Sequence, residues 1–192
     1  MTRSGISFAL RARRLLQVRT VRRLARREDG AAAVEFGFVA LPFFALLFAI
    51  IETSLVFLAG QSLETAAADS ARLVLTGQAQ SIPLSDFKTK ACSKLKALFD
   101  CEANLRVDVR TYASFDAAAA GNGTSLIDPN TGKLIEDFVY QPGAASQIVV
   151  VRLIYPFPVL ASQLLSFSLS DMADNKRLLV ATVAFRNEPF GS

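Results

Sequence analysis

The chain contains no histidine in 192 residues. Ser-His-Asp and Cys-His nucleophilic sites are therefore excluded outright, and zinc would have to be held by cysteines and carboxylates alone. No G-x-x-x-x-G-K stretch is present to cradle a phosphate. Acidic residues such as Asp86, Asp100 and Asp108 are scattered without a paired motif. No enzyme activity, metal centre or cofactor is expected from this set. Cysteine is scarce too, at two residues, Cys92 and Cys101. Charge is missing from one long stretch: the sixteen residues 36–51 carry none. Lysine is absent from residues 1–30, although that segment holds nine arginines.

These last two absences adjoin. The uncharged stretch opens in Asp29-Gly30-Ala31-Ala32-Ala33-Val34-Glu35-Phe36. Residues 31–51 supply 21 positions with Glu35 as the only ionised one, against the ~20 that a membrane-spanning helix needs. Glu35 is either a first-turn acid favoured by the helix dipole or a recognition residue, since a carboxylate deep in a bilayer costs on the order of 2.5–3.5 kcal/mol. The overall charge of +4 hides a segregation: residues 31–192 hold 12 basic and 15 acidic side chains, a net of −3. An arginine cluster is an electrostatic footprint for nucleic acid, but directly ahead of a span it reads as the cytoplasmic flank of a single-pass membrane protein. No nucleic-acid partner is expected, and membrane lipid is. A secretory signal peptide is disfavoured because the apolar block runs on to Glu52 without a small-residue cleavage site. Arg22-Arg23 is a weak twin-arginine signal in so arginine-rich a segment, and a mitochondrial transit peptide would not abut a full span.

Helical periodicity continues past the span. Leu63, Ala67, Ala71 and Val74 fall on one face, Glu64, Asp69 and Arg72 on others, and Gly77 is placed as a C′ stop. A helix over 31–76 is roughly 69 Å long, more than twice the bilayer core, so its second half must stand outside. Pro42 predicts a kink or one lost hydrogen bond; with Leu41 four residues after Gly37, no G-x-x-x-G pair forms. Ser85 is expected to cap a helix over 86–99 that buries Phe87, Ala91, Leu95 and Leu98 and solvates Lys88, Lys90, Lys94 and Lys96.

Period 2 then takes over. Leu105, Val107 and Val109 alternate with Arg106, Asp108 and Arg110, predicting a half-buried strand. Residues 117–124 read as a loop. Short strands at 126–127 and 134–135 flank a turn at 128–133, whose Asp128-x-Asn130-x-Gly132 order resembles the start of a calcium loop but lacks its full spacing. Strands are expected at 147–155, ended by Pro156 and Pro158, and at 176–185, with a short helix at 159–165 between them. The fold class is α+β: a long helix, transmembrane and then amphipathic, packed on a small antiparallel sheet. Three parts follow: a basic leader at 1–30, the long helix at 31–77 and an α+β domain at 78–192. Cys92 and Cys101 are either two buried thiols, half of a metal site, or a disulfide; an oxidising compartment for the distal domain favours the bond.

Gly30, Glu35, Phe36, the basic leader, the early proline and the long helix together resemble type IV prepilins. More narrowly, the block from Asp29 to Phe36 with its apolar run, followed by Ala66-Ala67-Ala68-Asp69-Ser70-Ala71-Arg72, resembles the TadE/TadG family of the tight-adherence pilus system. The closing Tyr155-Pro156-Phe157 and Arg186-Asn187-Glu188-Pro189-Phe190 are similar to its TadE-like members. The resemblance implies a pilin-like minor pilin or pseudopilin for pilus assembly and surface adherence. A prepilin peptidase would cut it between Gly30 and Ala31, with Glu35 and Phe36 used in assembly. Other pilins and pseudopilins and an inner-membrane assembly platform would be its partners. Its place would be the bacterial inner membrane, N-terminus cytoplasmic and distal domain periplasmic, or a pilus. The alternative is an unprocessed single-span protein whose periplasmic module binds a partner.

Overall fold

The computed structural model describes residues 28–93, 95, 99–122, 125–159 and 169–190. Most of the arginine-rich leader, Lys94, Lys96, Leu98 and nearly all of the helix expected at 159–165 lie outside them. The chain divides into two compact units, Met1–Phe48 and Ala49–Ser192. Helix α1, Glu28–Leu75, contributes to both. It runs through Pro42 unbroken; with no N–H at that position, the Phe38 carbonyl loses its helical donor.

Within the second unit α1 packs on an antiparallel sheet of order β1-β2-β3, formed by Arg106–Tyr112, Ile148–Pro158 and Lys176–Arg186. The α+β architecture expected from the sequence is present. Leu63, Ala67, Ala71 and Val74 are buried on the helix side, while Glu64, Asp69 and Arg72 are exposed. Opposite them stand Val107, Val109, Val149, Val151, Leu153 and Ala181, in one cluster with Ala59, Leu63 and Phe87. Register explains the composition: Val107, Leu153 and Ala181 lie side by side across the three strands, and alternate residues of a strand share a face. Burying a side chain the size of Leu63 or Phe87 is worth roughly 1.5–3 kcal/mol. α1 ends as its glycine requires. Gly77 takes φ 77° and its N–H reaches the Val74 carbonyl at 3.0 Å, the left-handed stop that glycine adopts without strain. The Phe190 ring closes over it, so near that a Cβ would lie 2.6 Å from the ring.

Three expectations are corrected. Helix α2 spans Leu84–Cys92, not 86–99, with Pro83 rather than Ser85 at its N-cap. Carried on to Phe99, it would have left only two residues to return about 10.5 Å of axial rise to the partner of Cys92. Instead the chain turns at Ser93, tucks in Leu95 and Phe99, and enters the short helix α3, Cys101–Asn104. The expected loop at 117–124 holds helix α4, Phe115–Asn122. Ser114 accepts the Ala117 N–H at 3.1 Å, an N-terminal cap followed by alanines, the best helix formers. β2 does not stop at Tyr155 but continues through both prolines. β1 pairs with it only as far as Ile154, so beyond that point one edge of β2 has no ladder partner among the described strands and a missing N–H is tolerated.

The turn at 128–133 is present. Asp128 Oδ1 accepts the Asn130 N–H at 2.8 Å, and Gly132 takes φ 65°. Of the flanking strands only the single bridge Ile127–Leu134 forms.

Candidate assembly helix and its supporting domain

Gly30, Ala31, Glu35 and Phe36 all lie in the first turns of α1. Gly30 is partly exposed and Ala31 to Val39 are exposed. Glu35 stands four residues past Ala31, one turn along the same face at about 6 Å of rise. The surrounding surface is apolar in every direction: Phe36, Phe38 and Leu41 are 71–77% exposed, and Phe43 and Phe48 more than half. A helix apolar all round belongs inside a protein assembly or a bilayer. α1 is long and apolar enough to cross a membrane, with mean hydropathy 2.4 in its most apolar window.

Apolar exposure does not stop at Ile51. Leu55, Phe57 and Leu58 are exposed as well, and the first fully buried core position after them is Ala59. Of the polar residues between, Thr53 and Ser54 satisfy their hydroxyls within the helix. Thr53 Oγ1 donates to the Ala49 carbonyl and Ser54 Oγ to that of Ile50, each at 2.8 Å, so their hydroxyls need no outside acceptor.

The supporting domain brings together the other two residues singled out from the sequence. Cys92 and Cys101 form a disulfide with Cα atoms 5.6 Å apart, clasping the end of α2 to the start of α3. Both are buried. Beside the clasp, Tyr155 Oη accepts the Asp100 N–H at 3.1 Å, and Phe99 meets the Tyr155 ring edge-on. Burial raises the Tyr155 pKa, partly offset by that hydrogen bond; burial alone raises that of Tyr140, whose hydroxyl reaches the Ala79 and Ile82 carbonyls.

The sequence reading missed one cluster. Asp108, read as solvated, is buried on the face of the sheet opposite the α1 core. Its Oδ2 accepts from Arg152 through Nε at 2.9 Å and through Nη2, and its Oδ1 accepts from Arg110 Nε and the Val139 N–H, each at 2.9 Å. Arg110 also reaches the Asp137 carboxylate at 3.3 Å. Burial disfavours the Arg110 cation, but the hydrogen bond and charge of Asp108, with help from Asp137, outweigh it and raise its pKa. The available signal was Arg152, the one charge in a Val/Ile/Leu strand, which must find a carboxylate if that strand is central.

Residues 30–72 match the family model of the TadE-like protein. The matched stretch runs from Gly30 to Arg72, within α1, and does not reach the closing segments around Pro156 and Pro189. No curated protein and no solved structure matches the chain.

Proposed function

We propose that this chain, with a TadE-like segment in its long helix, is a minor pilin or pseudopilin of a tight-adherence pilus system, structural rather than catalytic. The observation that carries the reading is that the family match begins at Gly30, where the arginine-rich leader gives way to the apolar run that α1 exposes. In this reading the leader lies in the cytoplasm and the distal domain in the periplasm, which nine arginines before the span support. A prepilin peptidase at the cytoplasmic face cuts between Gly30 and Ala31. The cut removes nine positive charges that hold the helix to the inner leaflet and leaves an amine at Ala31, one turn from Glu35. Among packed apolar helices an unpaired carboxylate is costly, and the new amine of a neighbouring pilin neutralises it. The disulfide suits a periplasmic domain.

One observation favours the second reading, an uncut anchored module: α1 starts at Glu28, so Gly30 is already helical, whereas a protease works on extended backbone. The first four N–H groups of a helix have no helical partner and glycine is a weaker helix former than alanine, so unwinding to Ala31 gives up only the bonds that the first few carbonyls accept. Two variants test the processed reading. Gly30→Lys is expected to keep its leader and stay in the membrane fraction, and Glu35→Ala to accumulate normally but enter pili poorly. Pili that incorporate both variants at wild-type levels would refute it.

A further inference from the structure

Gly121, Ser125, Leu126, Ile135, Asp137, Val139 and Gln141, from the connection between β1 and β2, wall a cleft of about 650 Å³ against the face of the sheet opposite the α1 core. Its size falls within the range of small-ligand sites, roughly 300–1,000 Å³. Arg110 and Arg152 line it from β1 and β2, with Asp137 and Gln141 on a second wall that runs along the edge of β1. That wall is tied down: Val109 donates to the Val139 carbonyl at 2.7 Å, Gln141 donates back to the Val109 carbonyl at 2.8 Å, and Val139 donates to Asp108. The cleft is thus formed before any ligand arrives.

Its chemistry narrows what fits. Buried ion pairs are poor sources of stability, and apolar residues of equal volume often serve as well or better. A buried carboxylate bonded to two guanidiniums at the edge of a cleft therefore points to use of the cleft. The charges of Arg110, Arg152, Asp108 and Asp137 sum to zero, which favours neither a polyanion nor a polycation. The lining mixes apolar and polar groups. Tyr112 is seated against Gly121, where a Cβ would lie 2.8 Å from its ring, and with Leu126 and Ile135 it supplies apolar surface. Beside them are planar hydrogen-bonding groups, the Gln141 amide, the Asp137 carboxylate and the Arg110 guanidinium. A pyranose presents the same mixture, C–H faces and a rim of hydroxyls that both donate and accept.

We propose that this cleft binds a neutral saccharide. The test is saturation-transfer NMR on the full chain in a detergent without a sugar head group, titrated with glucose, galactose, mannose, N-acetylglucosamine and their disaccharides, with glucuronate for comparison. At least one neutral sugar is expected to bind with Kd between about 0.1 and 10 mM, the range open to a small polar ligand. Gln141→Ala is expected to weaken it at least about tenfold and Leu126→Trp, which fills the cleft, to abolish it, both with an unchanged thermal midpoint. Should Leu126→Trp lower the midpoint, Gln141→Ala alone decides. No neutral sugar bound at about 10 mM, binding of glucuronate alone, or neutral-sugar binding untouched by Gln141→Ala would each overturn the proposal.

Discussion

Single residues show where local pattern and tertiary context part. Alternation along β1 puts Asp108 on the face away from the helical core, and that much was legible. Its burial was not, because the cover comes from a segment some thirty residues later, held by the Val139 N–H. Removing the carboxylate leaves the buried Arg152 guanidinium without its anion and Arg110 with Asp137 alone. Asp108→Ala is therefore expected to cost on the order of 3–5 kcal/mol in denaturant unfolding of the detergent-solubilised chain, whereas replacing Asp108 and Arg152 together by Leu and Met is expected to cost far less. Equal losses in both would argue against a coupled pair. The buried phenols give a pH dependence of definite sign. Folding raises the pKa of Tyr140 and Tyr155 above the ordinary tyrosine value of about 10, so the folded state holds their protons more tightly. Their contribution is complete below that value and is lost as pH rises through the higher folded values. The melting temperature is expected to fall between about pH 9 and 12, and less steeply in Tyr140→Phe; an identical slope in that variant would remove Tyr140 from the explanation.

Among the elements, those with long, unambiguous periods were legible: α1 to within a few residues, the strand cores and the glycine stop at Gly77. Boundaries set by distant partners were not. The end of α2 is dictated by a disulfide to a residue nine positions on, which helical period cannot register, and β2 outruns its prolines because β1 has already ended. α4 was missed for a different reason. The Gly121-Asn122-Gly123 sequence suggested a loop, while the four alanines behind a Ser114 cap decide the matter. Of the candidate site, Gly30 and Glu35 could be picked out at the edge of the apolar run, while the ion cluster needed the topology. The α2–α3 clasp carries an expectation of its own: protein isolated from cells without reductant should yield the Cys92 and Cys101 peptides linked. Losing the bond, in Cys92→Ser/Cys101→Ser, should cost about 2–3 kcal/mol for so short a loop. Free thiols at both positions would place the distal domain on the reducing side of the membrane and reverse the proposed orientation.

For the whole molecule, one helix serves two surroundings. From Ala59 onward its buried face is fixed by the sheet, and α1 ends there at a glycine sealed by Phe190. Toward Gly30 the same helix shows apolar side chains on every side, and the TadE-like match begins where that surface begins. Such a surface suits a bilayer and equally the interior of a bundle of like helices, so a chain freed of its basic leader could pass from one to the other. In the proposed function that passage depends on a cut after Gly30. Intact mass spectrometry of the chain recovered from assembled pili tests it most directly. A processed pilin should begin at Ala31, lacking the mass of residues 1–30. A chain that enters functional pili with those thirty residues still attached would contradict the processed reading and leave the anchored module in its place.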